Sequence, residues 1–94
     1  MHVVVRSYSG DAASELFSTM EEREDEVREL IGGVPGFISY AAFRTGGGVM
    51  TVTTCEDKDG TDESSNRARD WISDNVDASV DPPEITEGDS FIQF

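Results

Sequence analysis

Residues 36–55 read Gly36-Phe37-Ile38-Ser39-Tyr40-Ala41-Ala42-Phe43-Arg44-Thr45-Gly46-Gly47-Gly48-Val49-Met50-Thr51-Val52-Thr53-Thr54-Cys55. Two β-prone runs, 36–44 and 49–55, flank Thr45-Gly46-Gly47-Gly48, a turn where positive φ costs little, so the stretch predicts a hairpin. In the first run Phe37 and Phe43 point one way while Ile38 and Tyr40 point the other. A half-exposed antiparallel sheet should alternate apolar with polar residues. A strand with large apolar side chains on both faces needs cover on both.

Upstream, residues 2–8 predict a strand centred on β-branched Val3, Val4 and Val5. Ser9-Gly10 breaks it, and Asp11 suits the N-cap of a helix starting at Ala12. Leu16, Phe17, Met20, Val27, Leu30 and Ile31 make one apolar stripe along that helix, and the charged run Glu21 to Glu26 forms its solvated back. Gly32-Gly33 followed by Pro35 supplies the stop. Downstream, a loop over residues 56–60 leads to Thr61 as N-cap of a second helix, with Asp62 and Glu63 favourably placed in the first turn. Its buried stripe is Ala68, Trp71, Ile72 and Val76, and it ends before Asp81-Pro82-Pro83. The last strand is expected at Ser90 to Phe94, setting Phe91 against Ile92 and Phe94. Ile85 is a candidate start for it, and Gly88 a bulge or bend.

The order βαββαβ defines an α+β, ferredoxin-like fold, in which two helices pack on one face of a four-stranded antiparallel sheet. Ninety-four residues make a single domain, residues 1–94. A chain this short has a marginal core, and the lone Cys55 cannot form an internal disulfide. The helices cover one sheet face, and the other is too apolar for water. Packing it against the same face of a second copy buries both, which predicts a homodimer.

The element order, the apolar second face and the phrase Val34-Pro35-Gly36-Phe37 resemble the dimeric α+β barrel superfamily. Within it, Val34-Pro35-Gly36-Phe37-Ile38-Ser39-Tyr40 and residues 55–64 (Cys55-Glu56-Asp57-Lys58-Asp59-Gly60-Thr61-Asp62-Glu63-Ser64) resemble the small antibiotic-biosynthesis-monooxygenase-like proteins. The resemblance implies a pocket between the helices and the sheet of each subunit. It also implies a small-molecule role, since members include cofactor-independent monooxygenases of aromatic polyketides or quinols and haem-degrading enzymes. An aromatic or quinone-like substrate, oxygenated without a cofactor, is one expectation. The monooxygenase pattern places a tryptophan near the end of the third strand, where this chain has Thr54-Cys55-Glu56. A non-catalytic dimeric module binding a metabolite or partner protein therefore stands beside the enzyme reading.

Candidate chemistry is sparse. Tyr8, Tyr40 and Arg44 are the polar side chains best suited to line a pocket, because strand tyrosines present an apolar ring with a polar tip. Trp71 lies on the helical stripe, where core packing competes with ligand stacking, and its indole N–H needs a partner. Arg6 shares a strand face with Tyr8, and an inward guanidinium requires an acidic partner or an anionic ligand. Pairing within this acid-rich chain is the favoured outcome. His2, the sole histidine, is a weak general-base candidate near a frayed end. Arg44, Tyr40 and Arg6 are the candidate donors to a developing anion. Cys55 reads as a small buried residue, since Glu56 and Asp57 raise a thiol pKa. Asp57 to Glu63 faintly echoes a calcium loop, but the glycine is misplaced and the distal glutamate is absent, so no metal site is expected.

Twenty acidic residues oppose seven basic ones, of which Lys58 is the only lysine, for a formal net charge of −13. Such a charge repels nucleic acid and anionic lipid. No stretch approaches the roughly 20 apolar residues of a membrane span. The Val3-Val4-Val5 run, followed at once by Arg6, is a strand and not a signal peptide, so a cytoplasmic protein is expected. Carboxylates spread along a lysine-poor chain match a halophilic protein, whose self-repulsion salt screens. Unfolding followed across a salt series should show stability rising from low to molar salt. Equal stability at both ends would overturn that reading.

Overall fold

A computed structural model describes residues 1–77 and 79–94. The elements are β1 (His2–Ser9), α1 (Ala13–Glu22), α2 (Glu24–Gly32), β2 (Phe37–Thr45), β3 (Gly48–Cys55), α3 (Lys58–Asn75) and β4 (Glu84–Asp89). The four strands form one antiparallel sheet in the order β2-β3-β1-β4, with the helices packed on β1, β2 and β3. This is the ferredoxin-like α+β arrangement. No helix among the described residues is long and apolar enough to cross a membrane.

Several boundaries differ from the sequence expectation. The first helix begins at Ala13 with Ala12 as N-cap, and no side chain, Asp11 included, caps it. It breaks at Arg23 (φ −116°, ψ 36°), so the layer holds three helices and not two. The charged run Glu21 to Glu26 straddles that break and is exposed throughout. The next helix starts three residues before Thr61, because the Asp57 carboxylate accepts the Gly60 N–H at 3.2 Å and caps it. Thr61 is buried in the first turn, and its hydroxyl donates to the Lys58 carbonyl at 3.1 Å. Helix α3 stops at Asn75, well before the prolines, where Val76 turns extended (φ −110°, ψ 116°) and buries itself in the core. In the hairpin Gly46 and Gly47 make the turn without positive φ; the left-handed glycines are Gly10 and Gly36.

The last strand is Glu84–Asp89, not Ser90–Phe94. The physical reason is partner length: β1 begins at His2, which pairs with Asp89. The Ser90 N–H still donates to the Met1 carbonyl at 2.8 Å, and the ladder ends there. Phe91, Ile92 and Phe94 leave the sheet and stand exposed.

The faces follow from register. His2, Val4, Arg6 and Tyr8 of β1 point to the helices and are buried, while Val3, Val5 and Ser7 point away. On β3 Val49, Thr51, Thr53 and Cys55 share the inner face, and Met50 and Val52 lie outward, half-buried. The register slips between Phe37 and Ser39, leaving Ile38 in a bulge. That bulge puts Phe37, opposite Cys55, on the inner face with Tyr40, whereas Phe43, opposite Met50, is on the outer face. The expected pairing of Phe37 with Phe43 on one face is thereby corrected. Inside, Leu16 and Val49 pack with Tyr8 and Val76, and Phe17, Met20, Ile72 and Val80 lean on them. Full burial of a side chain such as Leu16 contributes about 1.5–3 kcal/mol.

Strand β4 is exposed along its length, and its side-chain anchor is ionic. The buried His2 ring meets Glu87 through Nε2 at 2.8 Å and Asp89 through Nδ1 at 3.0 Å. Lys58 of α3 joins the same Glu87 at 3.1 Å and also holds Asp62 at 2.9 Å. Hydrogen bonds donated by the ring to Asp89 and then Glu87 raise the His2 pKa above 6.5, and the same bonds lower both carboxylates. With the folded pKa raised, the clasp stabilises fully below the unfolded value and is lost as pH rises through the folded one. The thermal midpoint should therefore fall as pH is raised from about 6 through the mildly alkaline range. In His2→Gln that step should flatten, which a melting series read by circular dichroism would check.

Candidate functional site

The inner sheet face carries an unusual polar centre. Arg6, 1 % exposed, sits at the middle of β1 and meets hydroxyls only. Its Nη1 donates to Thr51 Oγ1 at 3.2 Å and Thr53 Oγ1 at 3.0 Å, its Nε to Ser65 Oγ at 3.1 Å, and its Nη2 to Ser64 Oγ. Among the described residues no carboxylate pairs with it, contrary to the pairing expected from so acidic a chain. The β3 alternation brings Thr51 and Thr53 beneath the guanidinium, and the first turns of α3 bring Ser64 and Ser65 above it. Burial pulls the Arg6 pKa down, partly offset by Tyr8, Tyr40 and Cys55 nearby. Ser64 in turn donates to the Thr61 carbonyl at 2.7 Å, so the polar cluster is internally satisfied.

Beside this centre lies a small void of about 20 Å³, room for roughly one water. Tyr8, Tyr40, Thr51 and Trp71 line it with Met20, Val27 and other apolar residues of the helices. Next to it, between α1–α2 and β2, runs a cleft of about 620 Å³. Its walls include Phe17, Met20, Val27, Ile31, Phe37 and Tyr40, and Glu21, Glu24 and Arg28 stand at its rim. Met20, Val27, Ile31 and Tyr40 belong to both spaces, so Tyr40 sits on the partition. The cleft falls within the roughly 300–1,000 Å³ of small-molecule sites.

The structure thus brings Tyr8, Tyr40 and Trp71 together. Burial pushes the Tyr40 phenol up to about 12 against the opposing influence of Arg6. Tyr8 is raised for the same reason, burial. Trp71 Nε1 donates to Glu26 Oε1 at 3.4 Å, tying α3 to α2. Arg44 does not line either space; its guanidinium stacks 4.6 Å from the Phe17 ring centroid, beside a separate shallow hollow at the hairpin. His2 lies in the β4 clasp, with neither ring nitrogen free to take a proton from a ligand.

Cys55 occupies the end of β3, fully buried, and burial followed by Asp57 raises its thiol. Gly60 closes over it: a Cβ there would lie 2.4 Å from the Pro35 carbonyl and 2.9 Å from the Cys55 Cβ. Of the acidic loop, Asp57 caps α3 and Asp62 holds Lys58. Sequence reasoning missed Thr51, Thr53, Ser64 and Ser65. Their signal was available, since Thr51 and Thr53 alternate with outward Val52, and the first turns of α3 bury Gly60, Thr61 and Ser64 but no apolar side chain.

No protein-family model and no curated protein sequence matches the chain. Solved structures do. The chain is similar to the ActVA-Orf6 monooxygenase of Streptomyces coelicolor in complex with nanaomycin D, with 21 % identity and a TM-score of 0.66 over 99 % of this chain and 89 % of that one. It is also similar to the haem-degrader MhuD of Mycobacterium tuberculosis, which holds two haems in its active site (13 % identity, TM-score 0.70, 100 % and 99 % coverage). A third is a putative monooxygenase of Shewanella loihica (10 % identity, TM-score 0.62, 98 % and 95 % coverage). At these identities the likeness is one of fold. The chain shares the ferredoxin-like α+β fold of these structures, as the element order led one to expect.

Proposed function

We propose that this protein is a cytoplasmic homodimer that binds a flat, mainly apolar ring compound in the cleft between α1–α2 and β2. The observation that carries the reading is the 620 Å³ cleft itself, mainly apolar in its walls and lined on the strand side by Phe37 and Tyr40. The neighbours of like fold support a small-molecule role, because one binds nanaomycin D and another haem. As an enzyme it would be a cofactor-independent monooxygenase of an aromatic or quinone-like substrate. The substrate would have to be acidic enough to lose its proton to solvent, since His2 is engaged, Cys55 is sealed and Tyr40 keeps its proton to about 12. The protein would then supply position and a dry cleft. A non-catalytic binding module is the second reading, and the same want of a base favours it.

Two outcomes test these readings. Oxygen uptake measured against a panel of quinols and anthrones should show turnover if the protein is an oxygenase. Stoichiometric binding with no oxygen loss selects the module, and absence of binding in both assays overturns the ligand reading. For the assembly, the outer face carries Val3, Val5, Met50, Val52 and the 45 %-exposed Phe43 with no helix over it. Sedimentation at micromolar concentration should therefore give twice the 10.3 kDa chain mass, and a monomer there would overturn the dimer.

A further inference from the structure

A chain with a formal net charge of −13 repels its own copies over most of its surface. Two stretches of that surface are free of charge. The first is the outer sheet face, where the outward rows of β1, β2 and β3, among them Val3, Val5, Met50, Val52 and Phe43, include no charged side chain. The second is the segment after β4, Ser90-Phe91-Ile92-Gln93-Phe94. Its Phe91, Ile92 and Phe94 are 93 %, 68 % and 116 % exposed, the most exposed large apolar side chains of the described residues. Crowded together in this way, they form a patch and not the scatter of an ordinary surface.

The segment starts at the edge of that face. Asp89 pairs with His2, and the Ser90 N–H donates to the Met1 carbonyl at 2.8 Å, so the chain leaves the sheet beside the end of β1 that carries Val3. A bend at Phe91 and Ile92 follows, with the Ser90 hydroxyl donating to Gln93 Oε1 at 2.7 Å, and the exposed rings have no core contact to give up. Opened out, residues 91–94 span about 13 Å, whereas packed sheets lie about 10 Å apart. The segment can therefore cross to a sheet packed on the outer face. Area points the same way. Four strands abreast, of about the eight-residue length of β1 and β3, give the outer face a footprint of about 500 Å². A stable interface buries about 800 Å² on each partner. Phe91 and Phe94 add about 150–250 Å² each. The face alone falls short of a stable interface, and the face with the segment does not.

We infer that residues 91–94 are an arm that each protomer lays on the outer sheet face of a second copy, the two arms closing the dimer reciprocally. This rests on the dimer reading above and names the segment that seals it. A basic partner would be drawn to the exposed run Glu21 to Glu26, whereas an uncharged apolar arm beside an uncharged apolar face suits a copy of the same chain.

The dimer dissociation constant, measured by sedimentation in molar salt, tests the arm. Phe91→Ser combined with Phe94→Ser should weaken the dimer about a hundredfold or more, since losing one buried aromatic anchor at an interface commonly costs a factor of about 30. Ile85→Ser removes another exposed apolar side chain, placed opposite Arg6 on the inner side of the sheet, and should leave the constant unchanged. Circular dichroism verifies that each variant folds. Independently, a photoreactive benzophenone side chain in place of Phe94, irradiated in a mixture of light and heavy-isotope-labelled protein, should join residue 94 of one isotope to β1 or β3 of the other. A wild-type monomer would overturn the dimer reading itself. If the wild type is a dimer that the double variant leaves equally tight, or that Ile85→Ser weakens as much, the arm is overturned while the dimer stands. Crosslinks confined to single chains overturn the arm in the same way.

Discussion

The rest of the structure depends on how a guanidinium is accommodated in the middle of a small domain. Taking Arg6 out of water costs several kcal/mol, and an unpaired charge would not be tolerated there. Four hydroxyls meet it instead of a carboxylate, from two residues of β3 and two of α3. Hydrogen bonds to a charged group contribute roughly 1.5–3 kcal/mol each, enough in aggregate to offset the burial. The bonds also fix geometry. Helix α3 cannot slide along β1 and β3 without losing Ser64 and Ser65 from the guanidinium, so the helix layer is registered by polar contacts where its first turns lack apolar ones. Further along, Ile72 and Trp71 take over as ordinary packing contacts.

That division explains why much of the fold was legible in the sequence and the centre was not. Strands β1 to β3 announce themselves by β-branched and aromatic residues and by the glycine turn, since each buries a face in a pleated sheet. The break at Arg23 was hidden because Met20 and Val27 are seven residues apart, a spacing that keeps phase across a gap. No apolar residue lies between them, so nothing in the core obliges the helix to stay continuous there. The C-terminus misled for a different reason. Phe91, Ile92 and Phe94 look more strand-like than Glu84 to Asp89, yet pairing is decided by the partner, and β1 starts at His2. β-propensity measures fit to a surface, and the β1–β4 ladder ends at the His2–Asp89 pair.

The site was legible in part for the same physical cause. Tyr8 and Tyr40 could be placed by strand parity and Trp71 by the helical stripe, and the structure brings them to one void. Parity says which face a side chain shares, not how far it reaches: Arg44 is on the inner face with Tyr40, but the Phe17 ring holds its charge aside. The same limit applies to Phe37, whose face was misassigned by one residue because a bulge at Ile38 is invisible to a period-of-two reading. Threonines and serines carry no hydropathy signal of their own. They become visible as a site only once an inward arginine is taken as a demand for acceptors, and hydroxyls are counted alongside carboxylates as ways to meet it.

The choice of hydroxyls over a carboxylate has consequences beyond packing. A carboxylate beside Arg6 would cancel the charge and leave the inner face neutral. Hydroxyls leave the charge in place. Outside, a formal net charge of −13 surrounds this positive centre, with Glu21 and Glu24 at the cleft rim. The two act at different ranges. Approaching molecules first meet the negative envelope, which salt screens within about 8–10 Å at ordinary ionic strength. Arg6, buried among Thr51, Thr53, Ser64 and Ser65, acts only at short range, in the low dielectric of the interior. A ligand carrying a full negative charge would be opposed on entry, and one with a neutral carbonyl would not.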